Sequence, residues 1–308
     1  MKKPKTRLTA LAAAGLLAMG LLTACGGGEE SGGGGNEAAG GSAESCDMSF
    51  TIGIAAGWAE DVAVSHLWKH VLEEHGYDIK LNTLDVAPVF IGVAKGDLGL
   101  FFDTWLPTTH EDYWKKYGDK VVDLGVWYDK APLTITVPAY MKIDSIDQLP
   151  SIGDKVNWTI TGIDPGAGLT RVTQTKMMPA YNLDKYTLKT SSSTAMLAAL
   201  KKAIDNKEPI VVTLWHPHWA YAQWDLKDLK DPKGAMGKPD SIHSIASNEL
   251  ADSCPQVIDA VKNWKMDDPT LASLEKTVLQ EHKSDMDKGV DVWVKDHQDY
   301  VKKMWPSE

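Results

Sequence analysis

Cysteine is scarce, with three in 308 residues. That count excludes a disulfide-dense scaffold or a cysteine-rich zinc module. Basic residues are in deficit, 32 Lys and Arg against 42 Asp and Glu. The chain therefore lacks the electrostatic footprint for nucleic acid and a basic face for an anionic membrane. Long apolar runs are nearly absent. The one run, residues 8–22, is about 15 residues long, short of the ~20 that span a hydrocarbon core. Motifs of catalysis are also missing: there is no G-x-S-x-G elbow, no H-E-x-x-H and no G-x-G-x-x-G loop. His216-x-His218 lacks a third ligand in its proline corner, so no metal is expected. Neither an enzyme nor a cofactor-binding protein is expected.

What is present begins at the N-terminus. Lys2, Lys3, Lys5 and Arg7 precede the short apolar run, the order of a secretory signal over residues 1–24. The run ends in Leu22-Thr23-Ala24-Cys25, which resembles a bacterial lipobox and makes Cys25 the expected lipidation site. Residues 25–45 are dominated by Gly, with Ser, Ala, Asn and Glu. They cannot bury enough apolar surface to offset ordering, and they predict a flexible tether with a reach of about 25 Å. The expected location is extracytoplasmic, lipid-anchored to the cell membrane. Removing residues 1–24 takes away four basic and no acidic residues, leaving a net charge of about −14. The two remaining cysteines, Cys46 and Cys254, are expected to pair outside the cytoplasm. Such a bridge would tie the start of the folded part to a segment two hundred residues later.

About 260 residues remain, large for one core and suited to two lobes. Residues 49–55 alternate like a strand and break at Ala56-Gly57-Trp58. Val64, Leu67, Trp68, Val71 and Leu72 then recur at helical spacing over 61–75, with Gly76 as the stop. A strand at 78–84, a helix at 88–95 and a strand at 98–103 complete an α/β layer with parallel pairing. The order returns later: strand 157–163, helix from 169, helix 191–206 and strand 209–214. Amphipathic helices at 270–282 and 285–304 are expected to complete the first lobe. The chain reads as lobe I at 46–136 and 243–308, with lobe II at 137–242. The acidic residues along the helices read as solvated faces.

Twelve tryptophans stand out. Trp68, Trp264, Trp293 and Trp305 fall on helical patterns and Trp158 on a strand, all as packing residues. Trp58, Trp105 and Trp215 instead sit at strand-to-loop corners, where ligands bind in open α/β sheets. Three indole faces around one spot attract a cation, at roughly 0.5–1 kcal/mol each when exposed and about 2 when desolvated. A quaternary ammonium suits them, because it has no N–H groups to leave unpaired.

Taken together, Thr104-Trp105-Leu106-Pro107-Thr108-Thr109-His110, Trp215-His216-Pro217-His218-Trp219 and Gly162-Ile163-Asp164-Pro165-Gly166-Ala167-Gly168 resemble the substrate-binding proteins of glycine betaine ABC importers, OpuAC-type. Val137-Pro138-Ala139-Tyr140-Met141 and Ser145-Ile146-Asp147-Gln148-Leu149 fit the same family, and the resemblance covers nearly all of the folded region. It implies an α/β, two-lobe class II periplasmic-binding-protein fold with the ligand cleft between lobes. It also implies an aromatic prism of Trp58, Trp105 and Trp215 around a trimethylammonium head. The ligand carboxylate would accept from His110 and from the backbone N–H groups of Gly162 and Ile163. Thr109 with Asp112 reads as a helix start that places His110 in a first turn, where an anion is favoured. The implied partners are a small quaternary ammonium ligand, an ABC permease and its ATPase, with the receptor itself a monomer. His216 stands where the family commonly has threonine. The alternatives are a choline, carnitine or proline betaine receptor and, from another class, a tryptophan-rich surface glycan-binding lipoprotein.

Overall fold

The computed structural model describes residues 46–305. The expected signal peptide, tether and Cys25 lie outside these residues. Ten strands form two five-stranded sheets. The first has the order β2-β1-β3-β10-β4, from β1 (Ser49–Ala55), β2 (Asp78–Leu84), β3 (Leu100–Leu106), β4 (Val121–Ala131) and β10 (Asp240–Ser247). The second has the order β7-β6-β8-β5-β9, from β5 (Leu133–Pro138), β6 (Thr159–Thr161), β7 (Thr187–Lys189), β8 (Val212–Trp215) and β9 (Leu226–Asp228).

The two sheets have one wiring. In each, a central strand pairs in parallel with two neighbours: β1 with β2 and β3, and β6 with β7 and β8. An antiparallel strand then follows, β10 beside β3 and β5 beside β8. Position for position, β1 corresponds to β6 and β3 to β8. The corners after these four strands carry Trp58, Ile163, Trp105 and Trp215.

Helix α1 (Ala59–Glu74) buries Ala63, Val64, Leu67, Trp68, Val71 and Leu72, an i, i+3, i+4 stripe that packs on the first sheet. Helix α2 (Val86–Lys95) ends at Gly96, whose φ of +85° suits a residue without Cβ. The C-terminal segment returns to α1 through the helices Asp268–Glu275 and Met286–Asp296. The expected helix over 285–304 is two helices, because the first ends at His297 and Gln298–Lys302 begins anew. Among the packing tryptophans, Trp68, Trp264 and Trp293 are buried in this lobe. Trp68 stacks on Phe102 at 5.7 Å, and Trp264 stacks on Trp127 at 4.9 Å. Trp158 is not strand-borne: it precedes β6 in a left-handed turn, φ +50°, and covers Gly153.

Two crossings connect the sheets. The chain leaves the first at Ala131-Pro132 and enters β5 at Leu133, and it returns between β9 and β10. Strand pairing thus puts the changeovers at 132 and 229–239, a few residues before the bounds expected from sequence. Asp240 and Ala131 are register partners, so both crossings depart side by side. Cys46 and Cys254 are joined by a disulfide with Cα atoms 4.7 Å apart. Among the described residues, no helix is long and apolar enough to cross a membrane.

Candidate ligand-binding site

Both sheets present their corners to one small cavity, lined by Trp58, Glu60, Trp105, Thr109, His110, Leu133, Ile163, Ala167, Gly168, Leu169 and Trp215. The three corner tryptophans are 3–7% exposed, so their faces are withdrawn from bulk water.

Each indole is held by a different device. Trp58 is the N-cap residue of α1, and its ring stacks on His110 with centroids 5.5 Å apart and planes 9° apart. Trp105 is the penultimate residue of β3 and donates its indole N–H to Asp103 at 2.6 Å. Trp215 ends β8 and donates its indole N–H to Glu60 at 3.0 Å, a bond that joins the two lobes. Both tryptophan-proline corners turn at cis peptides, Leu106-Pro107 and His216-Pro217.

His110 lies at the N-cap of α3 (Glu111–Tyr117), one residue before the helix rather than within its first turn. The reason is Thr109, which does not cap: its hydroxyl and backbone N–H both donate to Asp240, and the Thr108 N–H donates to the other oxygen of the same carboxylate. The backbone N–H of Trp105 donates to His110 Nδ1 at 2.9 Å. Nδ1 therefore carries no hydrogen, and the neutral ring must carry it on Nε2. That Nε2 is buried and has no hydrogen-bond partner. Burial, and then the charge of Arg171, lowers the His110 pKa to about 3, so the ring stays a neutral donor.

Ile163 lines the cavity, but Gly162 does not serve as expected. Its backbone N–H donates to the Lys189 carbonyl at 2.8 Å, and a Cβ there would meet Leu188 at 2.9 Å. Gly162 is a packing residue whose amide is already engaged. In its place, the start of α4 (Gly168–Val172) contributes Gly168 and Leu169 to the lining. Gly168 approaches the first lobe so closely that a Cβ would fall 1.9 Å from the Thr109 carbonyl oxygen. Arg171 of α4 reaches across as well, donating to the carbonyls of Thr108 and Thr109 at 2.7 and 3.3 Å. Tyr113 donates to the Gly166 carbonyl at 2.9 Å.

The acids around this site correct the reading of helix carboxylates as solvated. Glu60, Asp61, Asp103 and Glu275 are all at most 1% exposed. Burial, reinforced by Asp103 and Glu275, holds Glu60 well above the ordinary carboxylate range. Burial pushes Asp103 up to about 7 and Glu275 to about 8. Among the described residues, no Lys or Arg lines the cavity. The chamber therefore combines aromatic faces and a buried, ionisable carboxyl group at Glu60 with the neutral N–H donor of His110, which suits a small molecule with a positive head and an acceptor tail. Among the described residues, no group of three His, Cys, Asp or Glu is placed to hold a metal ion. His216 and His218 go separate ways, His216 to Asp228 at 2.7 Å and His218 to the Ala220 N–H at 3.0 Å.

Sequence reasoning missed Glu60, Asp240 and Gly168. The only signal for Glu60 was its place two residues after a corner tryptophan.

Comparison with known proteins places this geometry. Residues 50–296 match the family described as the substrate-binding domain of the ABC-type glycine betaine transport system. A glycine betaine/carnitine transport binding protein of Listeria monocytogenes, GbuC, is 37% identical over 161 residues. That alignment takes in 51% of this chain and 52% of the relative, so it spans about half the length of that curated protein. Lactococcal OpuAC in its closed form with glycine betaine superposes with a TM-score of 0.77 at 33% identity, covering 84% of this chain and 99% of that one. A ProX protein of Borrelia burgdorferi gives 0.78 at 30% identity, with 84% and 97% covered. A choline-binding ABC-transporter protein, at 20% identity and 0.75, shares the fold. With its two lobes and a cleft chamber built from both, the chain belongs to the family of substrate-binding domains of ABC-type glycine betaine transporters.

Proposed function

We propose that this protein captures glycine betaine, or a close methylated-ammonium relative, between its lobes and delivers it to an ABC permease driven by an ATPase. The single observation that carries this reading is one cavity uniting Trp58, Trp105 and Trp215 with the unpartnered Nε2–H of His110. The methyl groups sit against the indole faces, and the ligand carboxylate accepts from His110. Ile163 and the start of α4 line the remaining wall. Lobe I comprises 46–132 and 240–305 and lobe II 133–239, with the hinge at the paired crossings. Lipidation of Cys25 would hold the receptor at the outer face of the cell membrane as a monomer.

Choline is the main competitor. It has no carboxylate, so it leaves the buried His110 donor without an acceptor, at a cost of about 1–3 kcal/mol. A glycan-binding face is disfavoured because sugar platforms need open rings, and these three are enclosed. Calorimetric titration with glycine betaine, choline, carnitine, proline betaine and glycine tests the reading. Strong heat with glycine betaine and none with glycine is expected. Binding of glycine as tight as that of glycine betaine would remove the aromatic cage as the selecting element.

A further inference from the structure

Glu60 lines the ligand chamber, yet the aromatic cage and the His110 donor leave its carboxylate without a role toward the ligand. We propose that Glu60 is a specificity-determining residue of this site: when a methylated ammonium seats beside its carboxylate, Glu60 gives up a proton to solvent, so that each capture exchanges a proton for a cationic head. This rests on the ligand reading given under Proposed function.

The geometry carries it in three steps. First, Glu60 is 1% exposed and shares the cavity wall with all three corner tryptophans. Second, among the described residues no cation faces it. On its own helix it has Asp61, from β3 Asp103, from the helix Asp268–Glu275 Glu275, and from β4 Tyr128. From β8 comes the neutral Trp215 N–H, with the neutral His218 edge-on behind that indole. From the turn before α3 comes His110, also neutral. Arg171 is engaged elsewhere, with the Thr108 and Thr109 carbonyls and with Asp112. Third, an isolated buried carboxylate settles by holding its proton, and an adjacent positive charge reverses that preference. Among the described residues no Lys or Arg lines the cavity, so the positive charge that reaches Glu60 there is the ligand's own head. The bond from Trp215 then falls on an ionised acceptor, which strengthens the interlobe contact when the chamber is filled.

Two ligands of one shape separate charge from fit. Glycine betaine and its carbon isostere 3,3-dimethylbutanoate share the trimethyl head and the carboxylate, and only the first is cationic at the head. Calorimetry near pH 7 in buffers of contrasting ionisation heat should give a buffer-dependent enthalpy for glycine betaine and none for the isostere. Glu60→Gln keeps an oxygen for the Trp215 N–H and cannot ionise. It should abolish the buffer dependence and weaken glycine betaine about tenfold at pH 8 while staying within about twofold of the parent at pH 5.5, as one unit of linked pKa shift requires. Asp103→Asn should retain the buffer dependence. Tight glycine betaine binding with no buffer dependence overturns the proposal and leaves the ligand reading standing. Buffer dependence that persists in Glu60→Gln removes Glu60 as the proton source. If Glu60→Gln does not fold, the isostere comparison on the parent protein decides. Silence with every methylated ammonium overturns the ligand reading, and this proposal with it.

Discussion

A single methyl group at position 168 should hold the lobes apart. The hydrogen of Gly168 that Ala would replace with Cβ points at the Thr109 carbonyl oxygen, where the added carbon would lie 1.9 Å away against an ordinary contact of 3.4–4 Å. The gap must widen by about 1.5 Å. Thr109 cannot yield, because its N–H and hydroxyl are both tied to Asp240. The lobes must open instead, weakening the Arg171 bonds to Thr108 and Thr109, the Tyr113 bond to Gly166 and the Trp215 bond to Glu60. The Arg171 pair, taken as one contact, and the Trp215–Glu60 bond involve ionisable partners, at about 1.5–3 kcal/mol each, and the Tyr113 bond is neutral, at about 1. Loss of half that sum, about 3 kcal/mol, weakens ligand binding about 150-fold. The three atoms nearest the added carbon all belong to Thr109, and the position does not need a positive φ. Gly168→Ala should therefore melt in the unliganded state within a degree or two of the parent. Calorimetry of glycine betaine binding and melting without ligand are the assays. Unchanged affinity would refute the claim that binding requires this approach.

Other outcomes are equally specific. His110→Ala should cost about 2 kcal/mol, some 30-fold, toward carboxylated ligands and far less toward choline, as measured by parallel titrations; equal losses would remove its carboxylate role. Trp105→Ala should weaken a methylated ammonium by about 100-fold through lost cation–π and apolar contact, whereas Trp293→Ala should lower melting temperature with little change in affinity. The unliganded protein should lose stability as pH rises from 6.5 to 8.5. Asp103 and Glu275 have raised folded-state pKa values of about 7 and 8, so their contribution is complete at low pH and is lost as pH passes those values. His110 and His218, both lowered to about 3, act in the opposite sense only between about pH 3 and 6.5 and cannot compensate above it. A melting temperature that is flat or rising from pH 6.5 to 8.5 would contradict the buried-acid assignment.

The sheets were legible because their signals are local. Alternation in β1, the helical stripe from Val64 to Leu72 and the Trp-x-Pro corners each occupy a few consecutive residues. The corners could even be placed on a common face, since strand ends gather in such layers. What the sequence hid were the relations made by closure. Glu60 in a helix first turn reads the same whether water or an indole meets it. Gly168 looks like a loop glycine until Thr109 is brought against it. Gly162 looked available as a donor because its partner, the Lys189 carbonyl, lies on a strand whose pairing no short motif encodes. Asp240 does most of its work on residues more than a hundred positions earlier.

Asp240 has one further consequence. It opens β10 at the return crossing, where it registers with Ala131 beside the outward crossing, and the same side chain clamps the turn carrying Thr108 and Thr109 up to His110. Pivot and jaw thus share one fastening. Rotation about the crossings and displacement of the turn that leads to His110 would then form a single mechanical coordinate, with Asp240 as its link.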